Sequence, residues 1–189
     1  MIKYFETIKL ENGVFYNLDL HEQRIYKTIK VRLNLASILI APKILGNVKC
    51  KVIYDKSGIL DVQYLEYKKR KVQSFKAIFC DDISYDYKFL DRSKIDKLFK
   101  QKKDCDEILI FKNSFLSDTS IANIAVKYAN IWYTPRLALF EGITRARLLK
   151  EGKLQEKDLN LDFIKKAESL ALMNAMIGFD IINNFKIKE

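Results

Sequence analysis

Runs of β-branched and aromatic residues, separated by short polar breaks, fill the first half of the chain and predict strands joined by tight turns. Residues 2–10 and 14–18 are two such runs. Between them stands Asn12-Gly13, the dipeptide that most readily supplies the positive φ angles of a type I′ turn, so a hairpin is expected at the start. Asp19 and Glu22 stand three apart ahead of Ile25, Ile29 and Leu33. That is the spacing of a capping box followed by an amphipathic face, and it predicts a helix over about 20–34. Segments 47–55, 59–67 and 73–80 read as further strands, the first two separated by Lys56-Ser57-Gly58. The first half is thus expected to be a mostly antiparallel sheet carrying a helix. After the polar stretch 81–87, the pattern predicts a helix near 91–103, a strand at 107–112 and a hairpin around 121–126 and 131–134. A helix from Ile143 and two short strands within 168–188 complete the expectation of an α+β fold.

Composition narrows the function classes. With 189 residues, 49% of them hydrophobic, the chain has material for a core, and 6 Gly with 2 Pro exclude a collagen-like or linker architecture. No apolar run approaches the ~20 residues of a membrane helix, so no membrane association is expected. The net charge of +10 formally raises nucleic acid as a partner. Its 27 lysines, however, are scattered along the whole sequence, and only Lys68-Lys69-Arg70-Lys71 is compact. Between two strand-like segments that cluster is expected to be a solvated hairpin tip, and nucleic-acid binding is not expected. Cys50, Cys80 and Cys105 are odd in number and form no C-x-x-C pair, which fits neither a disulfide framework nor a zinc site. With no signal-peptide core at the N-terminus, a cytoplasmic location is expected. A single histidine, His21, excludes a His pair or a His-rich metal site, and its place at a helix start suits a structural role. No dinucleotide fingerprint, P-loop or H-E-x-x-H is present.

Five separated segments carry more. They are Phe5-Glu6-Thr7-Ile8; His21-Glu22-Gln23-Arg24-Ile25; Lys88-Phe89-Leu90-Asp91-Arg92; Leu116-Ser117-Asp118-Thr119-Ser120-Ile121-Ala122-Asn123-Ile124; and Tyr133-Thr134-Pro135-Arg136 leading to Gly142-Ile143-Thr144-Arg145. In this order they resemble the class IV aminotransferase family of pyridoxal-phosphate (PLP) proteins, over nearly the whole chain. The resemblance implies a two-domain fold with the cofactor in a cleft between domains, expected here as an N-terminal domain over 1–82, a linker at 83–87 and a C-terminal cofactor-binding domain over 88–189. It also implies a homodimer.

PLP chemistry needs a lysine for attachment, a carboxylate for the pyridine nitrogen and a cradle for the phosphate. By the resemblance, Lys88 matches the Schiff-base lysine, and Asp118 falls where the family usually places a glutamate against the ring nitrogen. A turn in which Asp118 bonds its own backbone is the bland alternative. Asn123 is expected to be a structural contact. Ile143 and Thr144, after Gly142, open a helix whose free N–H groups suit a phosphate. Arg24, matching the family's H-x-x-R arginine, would add a charge-assisted bond. Asn174, in Leu172-Met173-Asn174-Ala175, resembles a phosphate-contacting position of the lyase branch, against the alternative of an ordinary strand-end turn.

Phe5-Glu6-Thr7 and Lys88-x-Leu90-Asp91-Arg92 lean towards 4-amino-4-deoxychorismate lyase, with Thr7 as proton relay and pyruvate eliminated to leave 4-aminobenzoate. A D-amino-acid or branched-chain aminotransferase is the alternative, and a non-catalytic homologue or RNA-binding module the reading from another class. Two departures stand out. Arg24 and Lys88 are close in sequence, implying a shortened N-terminal domain. The family's substrate arginine, expected after a glycine-rich turn, is missing from 54–60, leaving Arg136, Lys56 or Arg92 to bind a small anionic substrate.

Overall fold

The computed structural model describes residues 1–44 and 46–189, which divide into two compact units. The first comprises Met1–Lys69 and Tyr87–Asp91. Its elements are β1 (Tyr4–Glu11), β2 (Val14–Phe15), α1 (Leu18–Ile29), α2 (Leu35–Ile38), β3 (Asn47–Asp55) and β4 (Gly58–Glu66). The strands form an antiparallel sheet in the order β2-β1-β3-β4. The opening hairpin forms as expected, with Asn12 at φ 49° and Gly13 at φ 84°. One face of the sheet, through Tyr4, Ile8, Cys50, Val52 and Tyr54, packs on Ile25 and Ile29 of α1 and on Leu35.

The expected capping box does not form. Helix α1 starts after Asn17, in a left-handed conformation with no side-chain cap bond. Glu22 instead accepts a 2.7 Å bond from the Leu35 N–H and so ties α1 to the start of α2. The helix is also shorter than expected, because Lys30 adopts φ 61° and its N–H closes on the Tyr26 carbonyl, a C-terminal stop.

The second unit comprises Arg70–Asp86 and Arg92–Glu189. It contains β5 (Ser74–Phe79), α3 (Ser93–Phe99) with a 3-10 turn after it, β6 (Glu107–Lys112), β7 (Phe115–Asp118), β8 (Asn123–Tyr128) and β9 (Ile131–Pro135). Then follow α4 (Ile143–Lys150), β10 (Gln155–Lys157), α5 (Leu161–Lys165), β11 (Ser169–Asn174), β12 (Gly178–Ile182) and β13 (Lys186–Lys188). Two sheets result, β13-β5-β6-β7 and β10-β9-β8-β11-β12. Phe75, Leu109, Phe111 and Leu116 of the first meet Ile124, Val126, Leu170 and Leu172 of the second in a shared core. On their outer faces Ile108 and Ile110 pack against Leu98 of α3, and Ala125, Ala171 and Met173 against Leu148 of α4. Strand β6 is therefore buried on both sides, which is why 108–111 reads as a continuous apolar run.

This arrangement differs from expectation in three places. Segment 73–80 is not part of the first sheet: β5 pairs in parallel with β6 and β13, burying Phe75 and Ala77 in the second unit's core. The unit boundaries therefore differ from 1–82 and 88–189, since 70–86 group with the second unit and 87–91 with the first. Lys68–Lys71 is consequently no hairpin tip, because β4 and β5 lie in different sheets, and Arg70 pairs with Glu107. Among the described residues no helix is long and apolar enough to cross a membrane.

Phe111 is fully buried between the two sheets. Phe111→Ala is expected to cost about 3–5 kcal/mol, read as a lower urea midpoint; a loss under about 1 kcal/mol would contradict a shared core of this kind.

Candidate functional site

In the first unit the alternation of β1 separates two sets of groups. Glu6 shares the helix-facing side with Tyr4, Ile8 and Leu10, where a bare carboxylate would be costly. It is fully buried and meets His21 Nδ1 at 2.6 Å and Arg24 Nε at 2.9 Å, with a further short bond from Arg24 Nη2. Burial by itself pushes the Glu6 carboxyl up, but Arg24 and His21 together outweigh it and hold the group down at about 2. Burial lowers the His21 pKa, against the pull of Glu6, so the ring is neutral near pH 7.

Phe5 and Thr7 point to the other side of β1. Lys88 reaches that side because segment 87–91 runs alongside the start of β1: the Phe5 N–H donates to the Lys88 carbonyl at 2.9 Å, and the Leu90 N–H to the Lys3 carbonyl at 2.9 Å. Phe89 stacks near Tyr4 with centroids 5.4 Å apart, so the neighbouring Lys88 is directed to the Phe5 side. Its Nζ stands 4.7 Å from the Phe5 ring centroid, a cation–π contact.

In the second unit Asp118 ends β7 at 4% exposure. Its Oδ1 accepts from Asn123 Nδ2 at 2.6 Å and its Oδ2 from the Phe140 N–H at 3.1 Å. Asn123 also donates to the Phe140 carbonyl at 2.8 Å and accepts from the Gly142 N–H at 3.1 Å. A side chain at position 142 would place Cβ 2.0 Å from Asn123 Oδ1, which is the reason for glycine there. Helix α4 begins at the next residue with no side-chain cap, so the N–H groups of Ile143 and Thr144 have no intrahelical partner. Burial pushes the Asp118 carboxyl up to about 7, against its bonds from Asn123 and Phe140. Among the described residues no cation stands within ion-pair distance of Asp118. Arg145 acts on this carboxylate from beyond ion-pair distance and the Leu139 N–H adds a weaker contact, yet burial prevails. A buried carboxylate without a paired cation suits a protonated ring nitrogen, and the start of α4 suits a phosphate. The residues present therefore fit PLP.

The loop after Asp118 is pinned by groups not foreseen from the sequence. Glu107, fully buried, accepts from the Ser120 N–H at 3.2 Å and from Arg70 Nη2 at 2.6 Å. Arg92 Nη2 donates to the Ser120 carbonyl at 2.6 Å. Asn123, expected as a structural contact, is the hub of this region.

The expected site residues thus fall into groups. Lys88 and Thr7 share one face of the first sheet, whereas Arg24 is on the other face, engaged with Glu6. Asp118, Ile143 and Thr144 are brought together through Asn123. Asn174 closes a strand-end turn, its Oδ1 accepting from the Met176 and Ile177 N–H groups at 2.9 and 3.1 Å, and its Nδ2 donates to the Ile121 carbonyl at 3.3 Å, in the loop after Asp118. Arg136 lies in an exposed ion pair with Asp158 at 3.3 Å. Glu6 had a readable signal, a carboxylate at a period-2 apolar position, which calls for a buried partner.

Comparison with known proteins accords with this geometry. Residues 91–184 match the class IV amino-transferase family model, a span that includes Asp118, Ile143, Thr144 and Asn174 and starts just after Lys88. An uncharacterized protein of Haemophilus influenzae is 36% identical, over 94% of this chain and all of the relative. A crystal structure from Haemophilus somnus 129pt, described provisionally as a 4-amino-4-deoxychorismate lyase, superposes with a TM-score of 0.83 at 32% identity, covering 94% of this chain and 98% of that one. The PLP-bound form of a hypothetical aminotransferase from Mycobacterium tuberculosis shares the fold, with a TM-score of 0.77 at 12% identity, over 98% of this chain and 81% of that chain. The chain belongs to the class IV aminotransferase family, a family of PLP-dependent enzymes, and is shorter than typical members.

Because Asp118 binds its proton more tightly folded than unfolded, the cofactor-free protein is expected to lose stability as pH rises from about 4 to about 7 and to level off above. Urea midpoints measured across that range should show Asp118→Asn lacking this part of the slope. An identical slope in the variant would contradict the assignment.

Proposed function

We propose that this protein is a PLP-dependent 4-amino-4-deoxychorismate lyase, releasing pyruvate and leaving 4-aminobenzoate. The observation that carries the reading is the first unit's face, where Thr7 lies on the same side of β1 as Lys88, whose Nζ is held against Phe5. Thr7 is the residue by which the lyase resemblance is drawn. The similarity to the Haemophilus somnus structure supports the same reading.

The bound cofactor supplies an electron sink for the carbanion formed beside the substrate's nitrogen. Lys88 serves as the attachment point and, once released, takes the proton from the amine-bearing carbon. As the bond from the ring to the enolpyruvyl oxygen breaks, the Thr7 hydroxyl hands a proton to the departing group. Asp118 holds the ring nitrogen protonated, and Asn123 keeps its carboxylate oriented. The N–H groups of Ile143 and Thr144 bind the phosphate. Arg24 acts through its ion pair with Glu6, and Asn174 through the turn it closes.

A homodimer in a reducing cytoplasm belongs to this reading. The small first unit gains burial by pairing, and the three cysteines are all free thiols.

The purified protein should be yellow, and borohydride should bleach it and tag Lys88, as read by peptide mass spectrometry. With 4-amino-4-deoxychorismate it should release pyruvate and 4-aminobenzoate in equal amounts, and Thr7→Val should slow this about 10²–10⁴-fold. Amino-group transfer to 2-oxoglutarate without pyruvate release would make it an aminotransferase. A protein that takes up no PLP would remove the enzyme reading altogether.

A further inference from the structure

The arginine that relatives use for substrate is missing from 54–60, and the cations first considered in its place are committed elsewhere. Arg136 is paired with Asp158 on the surface. Arg92 donates to the Ser120 carbonyl and faces Asp96 at 3.7 Å. Lys56 stands exposed in the β3–β4 turn.

Lys51 differs from all three. It lies on β3 directly across the ladder from Thr7, with its side chain on the Thr7 side of the sheet. Its Nζ stands 5.5 Å from the centroid of the Phe5 ring, the same ring that carries Lys88 Nζ at 4.7 Å. The two ammonium groups are therefore no farther apart than those distances together allow, a span that a small molecule bearing both an amine and a carboxylate can bridge. Half-buried Lys51 has no carboxylate partner among the described residues, although Glu and Asp side chains occupy many other lysines of the chain. Across the ladder on its other side stands Gln63, whose amide donates to Asp61 at 2.7 Å and thereby occupies that carboxylate. The Thr7 hydroxyl likewise has no side-chain hydrogen-bond partner among the described residues. A cation without a carboxylate partner and a hydroxyl without a side-chain partner, among the described residues, thus share one side of the sheet with the Phe5 ring that carries Lys88.

We propose that Lys51 is the carboxylate anchor of the substrate site: it binds a carboxylate of the molecule whose amine reacts at Lys88, while the Phe5 ring lies against the apolar body of that molecule. The substrate class is accordingly a primary amine carrying a carboxylate, and an amine without one is a poor ligand. This rests on Lys88 being the reacting lysine, as in the proposed function, but it makes its own claim about affinity.

The test is equilibrium binding by calorimetry, with 4-aminobenzoate and aniline as paired probes on the PLP-loaded protein, in Lys51→Met and Lys51→Arg. Lys51→Met is expected to weaken 4-aminobenzoate at least tenfold, to leave aniline within twofold, and to bind PLP as the wild type does. Lys51→Arg should recover most of the lost affinity. Unchanged 4-aminobenzoate affinity in Lys51→Met overturns the proposal, as does equal loss of both probes or wild-type protein that does not bind 4-aminobenzoate. Borohydride tagging of Lys88 is followed on the same samples. Lys51-dependent carboxylate binding without a tag at Lys88 would sink the proposed function and leave the anchor standing; a tag at Lys88 without Lys51-dependent binding would do the reverse.

Discussion

The carboxamide of Asn123 spends its donors and its acceptor on three groups from two segments: the Asp118 carboxylate, and the Phe140 carbonyl and Gly142 N–H of the loop before α4. An acid at the end of one strand and the start of a helix are thereby fixed to a single side chain. The glycine before α4 is a consequence, since any side chain there would occupy the space of the Asn123 oxygen. In the proposed function this rigid connection would hold Asp118 and the first amides of α4 at a fixed spacing for a flat, doubly anchored cofactor.

The handling of buried charge follows from that constraint. Glu6 and Glu107 are both fully buried, and each meets an arginine, Arg24 and Arg70. Those pairs are neutral as units and shape their surroundings: Glu6 fixes α1 to β1, and Glu107 fixes the loop that follows Asp118. Asp118 alone of the three forms no ion pair with an arginine among the described residues, and burial, outweighing the more distant Arg145, drives its carboxyl up to about 7. Glu6 and Glu107 are thus satisfied within the fold, whereas the Asp118 carboxylate would gain further stabilisation from a bound cation. The excess of basic residues across the chain is mostly dispersed, but Lys51 and Lys88 gather on the Phe5 ring, as Arg70 and Lys102 do on Phe99.

Much of the fold could be read from local pattern. The hairpin at Asn12-Gly13 and the strands over 47–55 and 107–112 form where β-propensity and turn chemistry agree. Elements were missed where one of those signals is weak. Strand β7 follows a turn at Asn113-Ser114, which takes φ 50° and 68° without the glycine that marks such turns. Strands β10 and β13 are short and polar, and they exist only because parallel neighbours, β9 and β5, supply their hydrogen bonds. The capping box failed because Glu22 found a tertiary partner in the Leu35 N–H. Asp118, Lys88 and Thr7 stand in ordered motifs that single them out in the sequence. The pairing of Arg24 with Glu6 has no such signal, because it exists only once β1 and α1 are packed face to face. Lys51 carried no local signal, since only the strand register places it opposite Thr7.

The most direct measurement is a double-mutant cycle on PLP affinity, comparing wild type, Asp118→Asn, Asn123→Ala and the double variant. If Asn123 acts by orienting Asp118 and the start of α4, each single variant weakens binding and the two losses overlap, with a coupling of at least tenfold, about 1.4 kcal/mol. Losses that simply multiply would mean that Asp118 and Asn123 act independently, and would contradict the account.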